Sequence, residues 1–420
     1  MLIRPFDPEI STEMSKPTLR RLAIFDAVTR LGSAGAAAQE IGLSQPAVTH
    51  ALHKLEGEIG GRLFDRGPGG SQPTKAGRIL HRRVERMLRQ AELGVAEARA
   101  GAPLRPAAGG EARRLTDAQV RAHLAVAEHG AFRAAAQALD LAEPTLQRAA
   151  RDLEGVIGAR LYRRTPQGMA ASGAGLALAG RLRLALYEID QALDELAAEQ
   201  DATGGRVSAG CLPLMPKPVL ARTVGQLLTV YPTVRMELRE GAHETLVAAL
   251  RNGDLDVVVG ALRSPRLSGD LVERALFTDP HVVVVRAGHP LAQAERVSEA
   301  DLARYPWVAP ERNTPRRAFV EDLFARLPER PRIVAETSSL TLMTALLMES
   351  QCLTLVSQAQ AVREFSAIGL SVLPIRLGAP DRVVGVTIRR DWLPTVVQRR
   401  FLTLLRQACR APVRTPAHAA

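Results

Sequence analysis

Aromatic residues make up only 4% of this 420-residue chain, so Leu, Val, Ile and Ala must fill whatever cores it has. Cysteines are as scarce: Cys211, Cys352 and Cys409 lie far apart in sequence. That excludes a disulfide framework and a zinc-finger spacing, and it reads as three buried thiols in a reducing compartment. No apolar run is long enough to span a bilayer, which excludes a membrane helix. The opening MLIRPFDPEISTEM has no apolar signal core, so a cytoplasmic location without a membrane partner is expected. A Walker A loop, a GxSxG elbow and an HExxH pair are all missing. No enzyme activity, catalytic residue, metal or cofactor is therefore expected. Charge of one sign is not concentrated either. The net charge of +11 permits nucleic-acid binding, but both halves share the excess, so charge alone decides little.

What the chain does have is an internal repeat. Shifting the sequence by 98 positions lays residues 20–81 on 118–179 without a gap, and about 23 of the 62 pairs are identical. Ala36-Ala37-Ala38-Gln39 falls on Ala134-Ala135-Ala136-Gln137, Pro46 on Pro144 and Leu55-Glu56-Gly57 on Leu153-Glu154-Gly155. Arg62-Leu63-Phe64 falls on Arg160-Leu161-Tyr162, and Ala76-Gly77 on Ala174-Gly175. Alanine-rich helices would match by composition, but matched Pro, Gly and Arg positions would not.

Each copy reads as a helix-turn-helix followed by a wing. Leu22, Ile24, Phe25 and Val28 make a helical stripe. Ser33 caps a short helix over 34–40, Gly42 makes the turn, and Ser44 caps the next helix with Pro46 in its first turn. Val48, Ala51, Leu52, Leu55 and Ile59 form that helix's inner face. The residues left outside are short, polar or basic, which suits major-groove base edges and phosphates. The candidate DNA contacts of copy one are Ser44, Gln45, Pro46, Ala47, Thr49, His50, His53 and Lys54. Strands at Leu63–Arg66 and Ser71–Pro73 form the wing, which adds Arg66. Copy two offers Thr145, Gln147, Arg148 and Arg151, with Arg164 in its wing. Its Glu143 and Asp152 would face phosphates unfavourably, so it reads as the weaker DNA binder.

The run Gly42-Leu43-Ser44-Gln45-Pro46-Ala47-Val48-Thr49-His50, followed by Leu55-Glu56, Gly60, Arg62-Leu63-Phe64, Arg66 and Thr74-Lys75-Ala76-Gly77, resembles the N-terminal domain of LysR-type transcriptional regulators. Copy two resembles it too, with Ala142-Glu143-Pro144-Thr145 at the start of its second helix. The usual family member has one such domain, so the duplication departs from the pattern. Double-stranded DNA is the implied partner, and RNA polymerase is admitted as another.

Residues 175–200 form a long helix with Leu178, Leu182, Leu186, Ile189, Leu193 and Leu196 on one stripe. It either packs on its own domain or, as the resemblance implies, pairs with a second chain in a homodimer or homotetramer. From 206 onward, strand and helix patterns alternate, which means an α/β sheet. Tyr231-Pro232, Leu250-Arg251-Asn252-Gly253-Asp254-Leu255-Asp256, His289-Pro290-Leu291 and Glu336-Thr337-Ser338-Ser339-Leu340 resemble the effector-binding domain of the same regulators. The resemblance implies a two-subdomain, periplasmic-binding-protein-like fold with a small-molecule effector in the cleft. Loops after strand ends then supply the candidate contacts. They are Leu212, Pro213, Leu214, Ala242, His243, Ala261, Asn313, Thr314, Arg316, Ser338 and Ser339.

The expected fold class is thus α+β multidomain: two winged helix-turn-helix modules, then a two-subdomain α/β domain. The boundaries read as 17–81 for module one, 82–114 for a helix and flexible joint, and 115–174 for module two. A linker or dimerisation helix follows over 175–203, then the effector domain over 204–410. That domain divides into subdomain I (206–284 and 359–410) and subdomain II (285–358). Two rival readings remain: a transport solute-binding protein, which shares the C-terminal fold, and a second module that serves protein interaction or dimer spacing without touching DNA.

Overall fold

A computed structural model describes residues 16–67, 70–100, 110–166, 168–200, 204–212, 215–263, 269–312, 314–362, 368–378 and 382–410. They divide into two compact units. One runs through Gly205 and includes Arg251–Gly253; the other takes the rest from Arg206 onward.

The first unit runs through the same series of elements twice. Copy one has α1 (Leu19–Leu31), α2 (Ala34–Ile41), α3 (Gln45–Ile59), the hairpin β1 (Phe64–Gly67) and β2 (Gly70–Pro73), and α4 (Lys75–Arg99). A 3-10 turn at Glu111–Arg114 follows, where the joint was expected; residues 101–109 of that joint lie outside the described residues. Copy two has α5 (Asp117–His129), α6 (Phe132–Ala138), α7 (Glu143–Ile157), the hairpin β3 (Tyr162–Thr165) and β4 (Gly168–Ala171), and α8 (Gly173–Gln200).

The matched residues have matched duties. Glu56 accepts the amide of Leu63 at 2.8 Å, and Glu154 that of Leu161 at 2.7 Å, so each Leu-Glu-Gly word ties a helix to its wing. A Cβ on Gly77 or Gly175 would sit 2.2 Å from the carbonyl oxygen of Leu63 or Leu161, so only glycine fits at either place. Thr74 and Ser172 both cap the helix that follows the wing.

The copies part at their caps. Ser33 and Ser44 accept amides at the starts of α2 and α3, whereas Ala131 and Ala142, in the same places, offer no side-chain cap. Each missing cap costs about 1 kcal/mol of local helix stability. Gly42 turns through φ 73°, and the equivalent Asp140 must do so at φ 53°.

The long helix over 175–200 packs within its own chain, one of the two readings of its stripe. α8 lies antiparallel along α4, burying Leu182, Ile189 and Leu196 with Leu88, Ala91 and Val95, while Leu186 and Leu193 are half-buried. Lys75 pairs with Glu199, Arg82 with Glu195 at 2.8 Å, and Arg86 with Glu188 at 2.8 Å. Sequence reading of residues 175–200 alone could not see this partner, which lies about 100 residues upstream.

The second unit is α/β. One sheet has the order β6-β5-β7-β14-β8, from β5 (Arg206–Cys211), β6 (Arg235–Glu240), β7 (Val257–Ala261), β8 (Leu271–Asp279) and β14 (Arg382–Arg389). β5 runs parallel to β6 and β7, and β14 antiparallel to β7 and β8. A second sheet has the order β12-β9-β13, from β9 (His281–Arg286), β12 (Thr354–Ser357) and β13 (Leu370–Val372). β10 (Trp307–Ala309) and β11 (Ile333–Glu336) pair in parallel beside it. Between the strands run α9 (Lys217–Val230), α10 (His243–Asn252), α11 (Glu299–Ala303), α12 (Pro315–Arg326), α13 (Leu340–Met348), α14 (Gln358–Gln360) and α15 (Val396–Arg410).

The subdomain boundaries need correction. β9 and β13 pair within the second sheet, so subdomain II takes in His281–Arg286 and Leu370–Val372. The chain passes from β8 to β9 through Pro280, not after 284. β8, an edge strand with both faces partly wet, carries no apolar run that would mark it in the sequence. Cys211 and Cys352 are buried as expected, but Cys409 is half-buried. Among the described residues, no helix is long and apolar enough to cross a membrane.

Candidate functional site

In copy one, Val48, Leu55 and Ile59 hold α3 against the core. Ser44, Gln45, Pro46, Ala47, His50, His53 and Lys54 are exposed and Thr49 half-exposed, so the outward face is the one expected from helical period. His53 lies 3.6 Å from Glu56, and Arg66 falls on β1. In copy two, Leu146, Ala150, Leu153 and Ile157 face inward, and Thr145, Arg148, Arg151 and Arg164 are exposed. Gln147 donates to Glu143 at 3.0 Å, so part of that face satisfies itself. Both faces carry side chains able to reach base edges and phosphates.

In the second unit the sheet order gathers the candidate loops in two groups. Leu212 and Gly241 bond to the ends of neighbouring strands, bringing Leu212, Ala242, His243 and Ala261 to one edge of the first sheet. Leu212 is half-buried over Gly260, where a Cβ would meet it at 2.6 Å; its packing is part of the fold. His243 is buried at the start of α10 with Nδ1 3.9 Å from Glu244. Pro213, Leu214 and Asn313 lie outside the described residues.

The other group forms because β10 and β11 are parallel neighbours. The amide of Thr337 donates to Ala309, so the starts of α12 and α13 lie side by side. Thr314 and Ser339 cap those helices, accepting from Arg317 at 3.2 Å and Leu342 at 3.3 Å; Ser338 is half-exposed.

Arg316 and Arg317 sit together on α12 and are both buried, but their situations differ. Arg317 pairs with Glu321 at 2.7 Å and Glu336 at 3.0 Å and donates to the carbonyl of Pro310. Arg316 is 4% exposed, and its Nε and Nη1 have no partner among the described residues. Burial and the neighbouring Arg382 lower its pKa to about 10. A buried guanidinium with idle donors costs free energy unless an acceptor arrives.

Sequence reasoning missed its surroundings. Arg382 starts β14 and pairs with Asp279, the last residue of β8. Asp279 also accepts the amide of Ala359 at 2.9 Å. His281, just past Pro280, stacks on Phe319 with ring centroids 4.2 Å apart. Burial, then Arg382, pushes the His281 pKa down to about 4, so the ring is neutral at pH 7, and its Nδ1 has no partner among the described residues. Among the described residues, Arg316 and Arg382 lie near the carboxylate of Asp279, where the chain crosses between the two sheets. The available signal was a polar, ionisable residue at the start of an apolar strand, as in Arg382 and His281.

Comparison with known proteins identifies the two kinds of domain. The LysR substrate binding domain family matches residues 200–410, and the bacterial regulatory helix-turn-helix protein, lysR family, matches both 19–78 and 118–176. The chain is 30% identical over 396 residues to the HTH-type transcriptional regulator GalR of Pseudomonas putida, covering 94% of this chain and 98% of that protein. It is 28% identical over 278 residues to the HTH-type transcriptional regulator PcaQ of Agrobacterium fabrum, covering 66% and 88%. The fold is similar to that of a full-length OxyR variant from Pseudomonas aeruginosa, at 20% identity and a TM-score of 0.50 over 70% of this chain and 97% of that one. The chain belongs to the LysR family and is a DNA-binding transcription regulator with an effector-binding domain, rather than an enzyme.

Proposed function

We propose that this regulator works in the cytoplasm, reads DNA through the exposed face of α3, and takes a small carboxylate as its effector. The observation that carries the effector class is Arg316: a buried guanidinium whose Nε and Nη1 have no partner among the described residues, next to Arg382 and a neutral His281. A carboxylate supplies the paired acceptors that a guanidinium fork matches. It would also draw on the helix starts at Thr314 and Ser339, whose amide ends favour negative charge. Phe319 and Leu212 offer apolar surface to the rest of the molecule.

The location suggests how binding reaches the DNA. Asp279, Pro280 and His281 join the two sheets, and Arg382 and Arg316 approach that joint from opposite subdomains. An anion placed there binds unequally to two arrangements of the subdomains, which is what shifts a conformational equilibrium.

Thermal-shift screening of the full chain with aliphatic and aromatic monocarboxylates, against neutral sugars, tests the reading. A carboxylate should raise the melting temperature by mass action, and Arg316→Met should abolish the rise. A neutral sugar that stabilises the protein, or a carboxylate shift that survives in Arg316→Met, would refute the assignment.

A further inference from the structure

We infer that one chain carries both reading heads of a single operator, so its DNA partner is a duplex with two unlike half-sites in inverted orientation. The inference rests on the DNA-reading role proposed above and extends it to α7.

The helix pairing that carries it is self-inverse. Arg83 on α4 reaches Glu188 at 2.8 Å and Glu195 at 2.6 Å on α8. Shifting by 98 positions turns Arg83 into Arg181, Glu188 into Gln90 and Glu195 into Glu97. Arg181 on α8 indeed reaches Gln90 at 3.2 Å and Glu97 at 3.0 Å on α4. Copy one is therefore placed relative to copy two as copy two is to copy one, which is the definition of an isologous, two-fold contact. The starts of α1 and α5 obey the same relation. Leu19 and Asp117 are equivalent positions, and the amide of one donates to the carboxylate of the other at 3.2 Å.

Each long helix is rigidly tied to its own module. Thr74 caps α4 and donates to the carbonyl of Arg62 at 2.8 Å; Ser172 does the same between α8 and Arg160 at 3.3 Å. The two-fold relation of α4 and α8 thus extends to α3 and α7. Paired recognition helices related by a two-fold fit the local dyad of duplex DNA, which is why such operators are inverted repeats. The faces themselves are unlike. Gln45, Thr49 and Lys54 of α3 correspond to Glu143, Gln147 and Asp152 of α7, so the two half-sites must differ in sequence and strength. Because both heads sit on one chain, the second half-site is met as an intramolecular event and needs no prior association of chains.

The test uses the full chain on its own upstream DNA, with hydroxyl-radical footprinting and single-particle mass measurement of the complexes. One chain is expected for every two protected patches. Gln45→Ala with Thr49→Ala should weaken one patch about tenfold, and Thr145→Ala with Arg148→Ala the other. Both variants change side chains that are exposed or, for Thr49, half-exposed, and leave the buried core residues intact. Two chains for every two patches, with the α7 variant footprinting like the parent, would overturn the inference and leave the role of α3 standing. No protected patch on any upstream fragment would overturn both.

Discussion

Phe25 and Phe64 pack 5.4 Å apart in the first module, and at the equivalent positions the second has His123 and Tyr162, 5.6 Å apart. The exchange places a titratable ring in the second core where the first has a phenyl ring. His123 is fully buried between Gly175 and Tyr162. A carbonyl only accepts, so Nε2–H donates to Gly175 at 2.9 Å and Nδ1 accepts from the Tyr162 hydroxyl at 2.9 Å. Burial pushes the pKa from 6.5 down to about 4, with Arg183 adding to the effect. The unfolded chain therefore takes up a proton near 6.5 that the folded chain refuses until about 4. Stability is intact above 6.5 and falls as pH drops from 6.5 towards 4, by about 3 kcal/mol in all. The double change His123→Phe and Tyr162→Phe, which copies the first module, should flatten that part of the pH–stability curve. Equal slopes for parent and variant in acid denaturation would contradict this.

Among elements, the α4–α8 pair invites a comparison that its own symmetry controls. Arg83 is fully buried between Glu188 and Glu195, whereas the equivalent Arg181 and Glu97 are 31% and 41% exposed. Removing one partner of a buried ion pair strands a charge in low dielectric and costs about 3–5 kcal/mol, while an exposed pair is worth about 1 kcal/mol or less. Arg83→Ala should therefore destabilise the first unit several-fold more than Arg181→Ala in urea titrations. Equal effects would mean that Glu188 and Glu195 find water instead. Gly94 belongs to the same interface. A Cβ there would lie 2.8 Å from that of Arg181, so this crossing depends on a residue without a side chain.

At the scale of the molecule, each unit has apolar clusters of its own among the described residues. One apolar cluster runs through both modules and the α4–α8 pair; separate clusters fill the effector domain. Units with separate cores melt as separate cooperative transitions. Calorimetry of the full chain should resolve two transitions. Arg83→Ala should lower one of them, and a bound carboxylate should raise the other through mass action. A single transition that moves as a whole with either change would show that the units fold as one.

The repeat, the caps, the turn glycines and the outward faces of α3 and α7 were legible in the sequence because each is decided within a few residues. Ser44 needs only the amide of Ala47, and Gly42 needs only its own φ. Three matters were decided by tertiary structure alone. The stripe on α8 had a period but no address, since an apolar stripe accepts any complementary helix; the fold supplies α4 of the same chain. Arg316 and Arg317 are the same residue type side by side, and only the placement of Glu321 and Glu336 pairs one of them, while Nε and Nη1 of the other have no partner among the described residues. β8 and β13 lack apolar runs, so pairing across the sheets, with β14 and β9, is what makes them strands. Local chemistry reads from neighbouring letters; charge balance and helix partnership depend on residues that only folding brings together.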